Sequence, residues 1–524
     1  MFSIRSWPKA AITAALTAMV ATVATHASSS LLTDEQLDDR ALSHIPVVTT
    51  ADLCGEAGPG EMRCFAKRVL TPDGVNAPTA PSGLGPSDLR SAYGLPTSGG
   101  GGRIVAIVDA YDAPSAESWL ATYRSQYGLP PCTTQNGCFQ KVNQNGQAGP
   151  YPQSDSGWAG EIALDIQMVS AVCPDCKILL VEANTASTQD LGAAVNTAAR
   201  MGAVAISNSY GGGEDSSVPS ADAQYYNHPG VLITASSGDS GYAAGASFPA
   251  SGAHVLAVGG TSLSRSTSSR GWAERAWRSG GSGCSRYVSK PSFQTDTACT
   301  KRMVADVSAV GDPATGVAVY DGAWGVIGGT SASSPIVAAI FTLLNLTSQD
   351  NGFAYAHTNA FWDVTSGANG SCSTPYFCNA APGYDGPTGI GTPNGAVLAT
   401  LGGNPPPPPP PPQPDSGAPP PDSGTPPPQP DAGAPPPHDS GATEPDAGAH
   451  DSGASLDASH SGDASHADDD SGTGGGNNGD QWAPNTASQS GCACTAPTSS
   501  DVPGDLAIAL CAIGVAFVLR RRRA

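Results

Sequence analysis

Residues 103–108 read RIVAIV, a short run of apolar and β-branched residues. Similar runs follow at residues 178–181, 203–207, 231–235 and 255–258. Segments with a helical pattern lie between them, at residues 115–127, 161–172, 188–201 and 219–227. Buried apolar strands that alternate with helices are typical of an α/β domain, in which helices flank a mostly parallel sheet. We therefore predict one such domain over residues 83–402.

The composition indicates that this domain is only part of the chain. Of the 524 residues, 45 are acidic and 24 are basic, which gives a formal net charge of −21. Residues 403–490 are rich in Pro, Asp and Gly and contain no Lys or Arg. Such a stretch buries too little apolar surface to fold, so we predict a disordered, extended linker there. The absence of a basic surplus argues against nucleic-acid binding.

Both ends of the chain carry targeting patterns. Residues 1–27 have a basic start, an uncharged apolar run and small residues at the end, as in a secretory signal peptide. Residues 491–524 contain Cys492, Cys494, a 14-residue apolar run and four arginines. This tail resembles a myxobacterial-type C-terminal sorting signal, which implies a secreted protein that is then attached to the cell envelope or outer surface. A plain tail anchor in the inner membrane is the alternative.

The thirteen cysteines support export, because disulfides persist in oxidising compartments. Ten of them form five local couples, which are Cys54/Cys64, Cys132/Cys138, Cys173/Cys176, Cys284/Cys299 and Cys372/Cys378. We expect disulfides here, although connectivity does not follow from sequence alone. The CxxC motif of the third couple fits a redox or zinc site as an alternative. Residues 28–82, which contain the first couple, are interpreted as a short propeptide or an N-terminal extension.

One candidate nucleophile opens an apolar helix. The segment GGTSASSP at residues 328–335 places Ser331 just after two glycines and before a long apolar run. A hydroxyl there lies beside the free N–H groups and the positive end of the helix dipole. That position suits a serine whose attack on a carbonyl creates an oxyanion. The alternative is a serine or threonine that only caps a buried helix.

A carboxyl pair offers a base for this serine. Glu161 and Asp165 are four residues apart on an apolar segment, so they share one helix face. Two carboxyls this close favour a shared proton, which raises one pKa and leaves Glu161 as a base oriented by Asp165. A third carboxyl, Asp239, follows the strand at residues 231–235 between glycines and, if protonated, is able to donate to an oxyanion. The alternatives are a solvated acidic face and a turn aspartate.

These motifs together resemble the sedolisin family of serine-carboxyl peptidases. The matching segments are ExxxD at residues 161–165, SGDSG at 237–241 and GTSxxxP at 329–335. Residues 86–93 are similar to the start of that family's catalytic domain, and residues 207–212 to its substrate-cleft strand. The resemblance covers residues 83–402 and implies a subtilisin-like fold. The leader of this chain is shorter than the folded propeptide that is usual in the family.

The resemblance also implies roles for individual residues. Ser331 would be the nucleophile, Glu161 the general base and later the general acid, Asp165 its orienting partner and Asp239 the oxyanion donor. The residues expected to pair with substrate backbone are Ser209, Tyr210 and Gly211.

A Ca²⁺ site near the C-terminal end of the domain is implied in the same way. Its side-chain ligands would be Asp363 and Asp385, and its carbonyl ligands would come from Val364, Ala381 and Gly383. Hard oxygen ligands on rigid loops suit Ca²⁺. Ala381 replaces a glycine that is typical of the family, and the Cys372/Cys378 loop is an insertion. Two plain Gly/Asp turns are the alternative.

The sequence as a whole predicts a secreted, surface-attached endopeptidase that cleaves polypeptides through an acyl-enzyme on Ser331. We expect activity at acidic pH, because the conjugate acid of a carboxylate base must protonate the leaving amine. We also expect a monomer that contacts the membrane or cell surface through its C-terminal segment. One alternative is a catalytically silent binding protein on the same fold. Another is a subtilisin-type peptidase that uses Asp109 with His228, His254 or His357.

Overall fold

The computed structural model describes residues 32–58, 60–70, 80–348 and 350–402. The helices, in chain order, are α1 (Asp34–Ser43), α2 (Pro86–Ala92), α3 (Ala116–Gln126), α4 (Ser156–Val172), α5 (Thr188–Arg200), α6 (Val218–Tyr225), α7 (Thr330–Leu343), α8 (Phe353–Ala356) and α9 (Gly395–Leu401). The strands are β1 (Thr50–Asp52), β2 (Arg63–Cys64), β3 (Lys67–Val69), β4 (Ile104–Ala110), β5 (Phe139–Asn143), β6 (Lys177–Ala183), β7 (Ala205–Asn208), β8 (Tyr210–Gly213), β9 (Leu232–Ser236), β10 (Ser247–Phe248), β11 (Leu256–Arg265), β12 (Trp272–Ala276), β13 (Gly283–Ser289), β14 (Lys301–Val304), β15 (Val307–Val310), β16 (Val317–Tyr320), β17 (Trp324–Gly328), β18 (Phe361–Trp362) and β19 (Thr392–Pro393).

A central eight-stranded sheet organises the described residues. Its strand order is β12-β11-β9-β7-β4-β6-β5, and β15 pairs with β11 on the side. Neighbouring strands run parallel throughout except for β11 and β12. The five apolar runs of the sequence all form strands of this sheet, so the predicted subtilisin-like α/β fold is confirmed.

The bounds of two elements differ from their sequence pattern for local reasons. Helix α4 starts at Ser156 rather than at Glu161, because the Asp155 carboxylate caps it by accepting the N–H groups of Gly157 and Trp158. Strand β11 continues to Arg265, well past residue 258, because β12 pairs with its second half. Long-range pairing sets the length of a strand, and a local apolar run does not report it.

Two apolar layers lie on the two faces of the sheet. Residues of β4 alternate between them: Val105 and Ile107 pack with α4 and α7, and Ala106 and Val108 pack with α5. All residues of α7 are buried, and so are residues 158–172 of α4. A helix buried on every side must be apolar almost throughout. The polar residues that α4 and α7 do carry are therefore enclosed in the protein interior.

Part of the leader is built into the domain. Strands β1 and β3 join β17 and β16 in a four-stranded sheet, and β2 pairs antiparallel with β8. Residues 50–69 therefore add edge strands to elements that lie more than a hundred residues later in the chain. The boundary expected at residue 83 separates segments that are hydrogen-bonded to each other.

The five expected disulfides are formed in the structure, each within its local couple. The sulfurs of Cys173 and Cys176 bond to each other, and both residues are buried. This pairing fits a structural disulfide better than a redox or zinc site.

The targeting predictions concern residues outside the described ranges. The signal peptide at 1–27, the linker at 403–490 and the C-terminal segment at 491–524 all lie there, and they stay predictions. Within the described ranges, no helix combines the length and the apolar character needed to cross a bilayer.

A buried ion pair fixes the turn between β14 and β15. The Arg302 guanidinium donates to both oxygens of Asp306 at 2.6 Å, and neither side chain is exposed. Asp306 also accepts the N–H of Ala257, at the start of β11, at 2.8 Å. Arg302 in turn donates to the carbonyls of Gly252 and Val255. The pair thus ties the turn between β14 and β15 to the start of β11.

We expect Arg302→Met to lower the free energy of unfolding by about 3–5 kcal/mol, because it leaves the Asp306 carboxylate buried without its partner. Arg265→Met is the matched control. Its ion pair with Asp88 is exposed on the arginine side, and its loss should cost below about 1 kcal/mol. Urea unfolding at neutral pH measures both. Equal losses in the two variants would contradict this account.

Candidate active site

The candidate nucleophile lies at the N-terminus of α7, where the chain leaves β17. Gly329 makes the connection with φ +107, a conformation that favours glycine. A Cβ at this position would lie 2.1 Å from the carbonyl oxygen of Phe65 and 2.8 Å from Oδ2 of Asp239. Only glycine therefore lets these two oxygens approach the start of the helix. Ser331 follows two residues later and is fully buried.

Pro335 changes the hydrogen bonding of the first turns of α7. It is the sixth residue of α7, so its missing N–H leaves the carbonyl of Ser331 without the usual helical donor. Oγ of Ser209 lies 3.3 Å from that carbonyl and 2.6 Å from Oδ2 of Asp165. The Ser209 hydroxyl donates to Asp165, and its oxygen lies within reach of the Ser331 carbonyl as well.

Glu161 and Asp165 occupy successive turns of α4 and are fully buried. Oε2 of Glu161 accepts the backbone N–H of Ala66 at 2.9 Å. Burial raises the pKa of Glu161 well above its usual range, and the charge of Asp165 adds to the effect. Burial likewise raises the pKa of Asp165 well above its usual range. Their remaining oxygens have no other donor, so a proton shared between the two carboxyls satisfies both.

Asp109 extends this carboxyl pair toward the sheet. It is fully buried at the carboxyl end of β4, and neither of its oxygens has a hydrogen-bond partner among the described residues. Burial raises the pKa of Asp109 well above the usual range, and the charges of Asp165 and Glu161 raise it further. From the sequence, Asp109 was interpreted only as the partner of a histidine. Its position at the end of RIVAIV places it at the carboxyl edge of the sheet.

Asp239 lies on the other side of Ser331, after β9. Its Oδ1 accepts the N–H and the hydroxyl of Thr330, both at 2.8 Å. Its Oδ2 is buried without a donor, close to the Phe65 carbonyl across Gly329. Burial raises the pKa of Asp239 to about 7, against the opposing hydrogen bond from Thr330. A protonated Oδ2 would be able to donate toward that carbonyl.

A piece of the leader passes through this site in an extended conformation. The N–H of Phe65 lies 3.2 Å from Oγ of Ser331 and 3.3 Å from the carbonyl oxygen of Ser209. Oγ of Ser331 itself donates to the Ser209 carbonyl at 3.1 Å. The sequence pattern of residues 60–70 gave no indication of this contact.

The leader segment pairs antiparallel with the cleft strand through its backbone. Cys64 pairs with Tyr210, and Arg63 with Gly211. The Phe65 ring lies against Gly211, where a Cβ would be 2.9 Å from its edge, and near Gly238. These are the residues expected to pair with substrate backbone, and here the peptide that they pair with is the protein's own. The assignment to substrate stays a prediction.

The histidines are engaged elsewhere in the described structure. Their hydrogen bonds go from His228 to Asn196 at 2.9 Å, from His254 to Asp222 at 2.7 Å and from His357 to the Phe353 carbonyl at 2.9 Å. Those partners lie outside the carboxyl group described above. The geometry therefore favours the carboxyl pair over a histidine as the base for Ser331.

The two halves of the expected Ca²⁺ site come together. Oδ2 of Asp363 accepts the N–H of Gly383 at 2.7 Å, and Oδ2 of Asp385 accepts the N–H of Ala381 at 2.9 Å. Asp385 is fully buried, and burial raises its pKa to about 7. A buried carboxyl next to a second carboxyl and loop carbonyls fits a hard cation. Within the described ranges, however, no group of three or more Asp, Glu, His or Cys side chains is placed to hold a metal.

The fold of the described residues is subtilisin-like, and the chain is similar to known serine peptidases. Residues 147–358 match the family model described as Subtilase family. The solved structure of Pseudomonas sedolisin, described as a serine-carboxyl proteinase complexed with two molecules of pseudo-iodotyrostatin, superposes with a TM-score of 0.54 at 26% identity. This match covers 62% of the present chain and 98% of that chain.

In sequence, the chain is similar to peptidases named kumamolisin and tripeptidyl-peptidase. The chain is 32% identical to kumamolisin of a Bacillus species over 366 residues, which are 61% of this chain and 63% of kumamolisin. It is 28% identical to tripeptidyl-peptidase 1 of Dictyostelium discoideum over 338 residues, which are 56% and 52% of the two chains. The chain thus spans less than two thirds of the length of these relatives.

The raised pKa of Asp239 predicts how stability depends on pH. The folded protein holds this proton up to about pH 7, whereas the ordinary value is 3.8. The stability that the proton contributes is present in full below pH 3.8 and is lost as the pH rises through 7. Asp239→Asn keeps the shape without the titration. We expect the difference in unfolding free energy, variant minus wild type, to increase by roughly 3–4 kcal/mol between pH 4 and pH 8.

Thermal unfolding at several pH values measures this difference. Other buried carboxyls, such as Glu182 with its pKa raised to about 8, act alike in both proteins and cancel in the comparison. A constant offset between the two proteins from pH 4 to pH 8 would show that Asp239 is charged throughout.

Proposed function

We propose that this chain is a serine-type endopeptidase of the serine-carboxyl kind, which hydrolyses peptide bonds of polypeptides through an acyl-enzyme on Ser331. One observation carries the proposal: a buried carboxyl pair, a helix-opening serine and an extended peptide meet at one place. Two consecutive backbone amides of that peptide donate to these side chains, Phe65 to Ser331 and Ala66 to Glu161. This is the arrangement that acyl transfer to a serine needs.

The first chemical step uses Glu161 as the base. Glu161 removes the proton from Oγ of Ser331 as the oxygen attacks the carbonyl carbon, and Asp165 holds Glu161 through the shared proton. The same proton then passes to the nitrogen of the leaving amine. The position of Ala66 supports this route, because its amide nitrogen lies 2.9 Å from Oε2 of Glu161.

Asp239 stabilises the developing oxyanion. Its Oδ2 faces the carbonyl oxygen across Gly329 and donates a hydrogen bond when protonated. Since its pKa is about 7, the donor is present on the acid side and is lost as the pH rises through neutrality. This supports an acidic optimum. A base with a raised pKa loses efficiency at the lowest pH, so the profile is bounded on that side as well.

The course of the leader supports internal cleavage. Upstream of Phe65 the chain continues along the cleft through Arg63 and Met62, whose N–H donates to the Ala186 carbonyl at 2.8 Å. A bridge between Glu61 and Ser187 extends the contact further. A tripeptidyl-peptidase needs a free amino terminus three residues before the cleaved bond, whereas this cleft accepts a continuous chain. We therefore favour an endopeptidase over tripeptide release.

We expect Ser331→Ala and Glu161→Gln each to lower kcat toward an unfolded protein by at least about 10³-fold at pH 4–5, because each removes a group that acts on the reacting bond. The triple variant His228→Asn, His254→Asn, His357→Asn should stay within about twofold of the wild type. Rates are compared once hydrolysis by the wild-type chain has become steady, and products are sized by mass spectrometry.

Loss of activity in the histidine variant, with Glu161→Gln unaffected, would point to the subtilisin-type alternative. Folded protein that hydrolyses nothing between pH 3 and pH 8 would point to the binding alternative.

We also propose that Asp363 and Asp385, with the carbonyls of Val364, Ala381 and Gly383, hold Ca²⁺. Support comes from the buried Asp385 carboxyl, which accepts three donors on its own loop and lies near the Asp363 carboxyl. A bound Ca²⁺ would supply a positive charge there and tie together the loops before β19 and after β18. Its role here is structural, since the carboxyls of the catalytic proposal belong to other elements.

Removal of Ca²⁺ with a chelator should lower Tm by at least about 2–4 °C, because a ligand that binds only the folded state stabilises it. Asp363→Asn keeps the hydrogen bond to Gly383 but removes a ligand charge, and it should abolish the Ca²⁺ dependence of Tm. Asp215→Asn, an exposed acid on another loop, is the control and should keep it. A Tm that is indifferent to Ca²⁺ in the wild type would rule out the site.

Secretion and attachment to the cell envelope belong to the same proposal. They are supported by the patterns of residues 1–27 and 491–524 and by the five disulfides, which suit an oxidising compartment. A monomeric state stays a prediction.

A further inference from the structure

A hairpin of the domain, formed by β16 and β17, borders the cleft beyond Ser331. Strand β17 pairs with β16 on one side and with β3 of the leader on the other. In this second pairing Lys67 lies opposite Gly328 and Arg68 opposite Ile327. An extended substrate is able to take the same edge of β17, because backbone ladders of this kind give a peptide affinity for a sheet edge.

The backbone contacts at Ser331 give the register of a peptide on this edge. The N–H of Phe65 lies 3.2 Å from Oγ of Ser331, and the N–H of Ala66 donates to Glu161. Ala66 thus stands in the place of the first residue after the cleaved bond, and Arg68 in the place of the third. The side chain of a third residue in a substrate would start from the position of the Arg68 side chain.

The Arg68 side chain meets a carboxyl of the hairpin. Its guanidinium forms an ion pair with Oδ2 of Asp321, in the turn between β16 and β17. The pair is partly shielded from solvent, since 24% of the Arg68 side chain and 17% of the Asp321 side chain are exposed. Lys67, in contrast, pairs with Asp52, which belongs to the leader itself. Asp321 is thus an acid that the domain presents to this strand.

A glycine makes room for the guanidinium. Gly325 lies on β17 two residues before Ile327, and therefore on the same face of the strand. A Cβ at Gly325 would lie 2.5 Å from Nη1 of Arg68. The φ angle of Gly325 lies outside the left-handed region, so its backbone conformation does not require a glycine. The missing side chain instead leaves the space that a long basic side chain needs to reach Asp321.

Helix α4, which carries Glu161, fixes the position of Asp321. The buried side chain of Gln167 donates to the Tyr320 carbonyl at 2.6 Å and accepts the Tyr320 N–H at 2.9 Å. A Cβ at Gly160, next to Glu161, would lie 3.6 Å from Oδ2 of Asp321. The acid is therefore held at a defined place relative to the proposed general base.

We propose that the β16–β17 hairpin is a subsite that selects a basic side chain, Arg or Lys, at the third residue after the cleaved bond; this rests on the proposed function. Asp321 determines this specificity by its charge, and Gly325 by the space that it leaves. A guanidinium or ammonium group binds there through a charge-assisted hydrogen bond. A glutamate at the same position of a substrate is repelled, and a glutamine lacks the charge.

The test uses the full chain and three decapeptides that share one Phe–Ala bond and differ only at the third residue after it, which is Arg, Gln or Glu. Steady rates are compared at pH 6, and mass spectrometry identifies the cleaved bond. Burial raises the pKa of Asp321, so its carboxyl is charged more fully at pH 6 than at pH 4. We expect kcat/KM for the Arg peptide to exceed that for the Gln peptide by at least about fivefold, and that for the Glu peptide by at least about twentyfold.

Two variants of Asp321 test its charge. Asp321→Asn should bring the Arg and Gln peptides within about twofold of each other, by slowing hydrolysis of the Arg peptide and not of the Gln peptide. Asp321→Lys should reverse the preference toward the Glu peptide, which a merely structural role of Asp321 would not do. Asp215→Asn removes an exposed acid on another loop and should keep the wild-type ratios.

Gly325→Val covers the case in which the Asp321 variants fail to fold. It keeps the acid but fills the space of the guanidinium, and valine suits a strand. It should slow hydrolysis of the Arg peptide by at least about fivefold, while a fourth peptide with Ala at the third position stays within about twofold. Folding of each variant is checked by circular dichroism.

The outcomes separate the subsite from the proposed function. Equal rates with the Arg and Gln peptides in the wild type, with both cleaved at the Phe–Ala bond, would overturn the subsite and leave the peptidase standing. A preference for the Arg peptide that persists in Asp321→Asn would do the same. If no folded form hydrolyses any of the peptides, both proposals are wrong.

Discussion

The structure depends on the enclosure of Glu161 and Asp165 in a helix that is buried on all sides. Carboxyls in such a place are tolerable only if they share a proton and find donors, and the surrounding residues meet that requirement. Ser209 bridges Asp165 to the start of α7, and the backbone of the leader donates to Glu161. The helices α4 and α7, the cleft strand and the leader are thus arranged around one proton.

Much of the domain could be predicted from sequence because its strands, its helices and the spacing of its site residues follow from short segments of the chain. The run RIVAIV and its successors predict the parallel strands, and the motif that contains Ser331 predicts a serine at the start of a buried helix. The pairing of Glu161 with Asp165 follows from helical spacing alone. Their burial follows from the apolar residues around them. The resemblance to the sedolisin family implied the roles of these residues and the place of Asp239.

The position of the leader could not be predicted, since it depends on pairing between distant segments. Residues 63–69 show only a weak strand pattern, and their partners in β8 and β17 lie far along the chain. The contact of Asp109 with the carboxyl pair could not be predicted for a related reason: its environment depends on helix α4, which packs over β4 in space but follows it by some fifty residues. In both cases the residues were visible in the sequence, but the segments that they contact lie far away along the chain.

The proline in α7 removes one hydrogen bond between the first turn of that helix and the next. Because Pro335 has no N–H, the carbonyl of Ser331 is held by a side chain of the cleft strand and not by the next helical turn. The turn that carries the hydroxyl is therefore coupled to the carboxyl group more directly than to the rest of its own helix. A displacement of the segment between β7 and β8 would reach the turn that carries the nucleophile through this hydrogen bond.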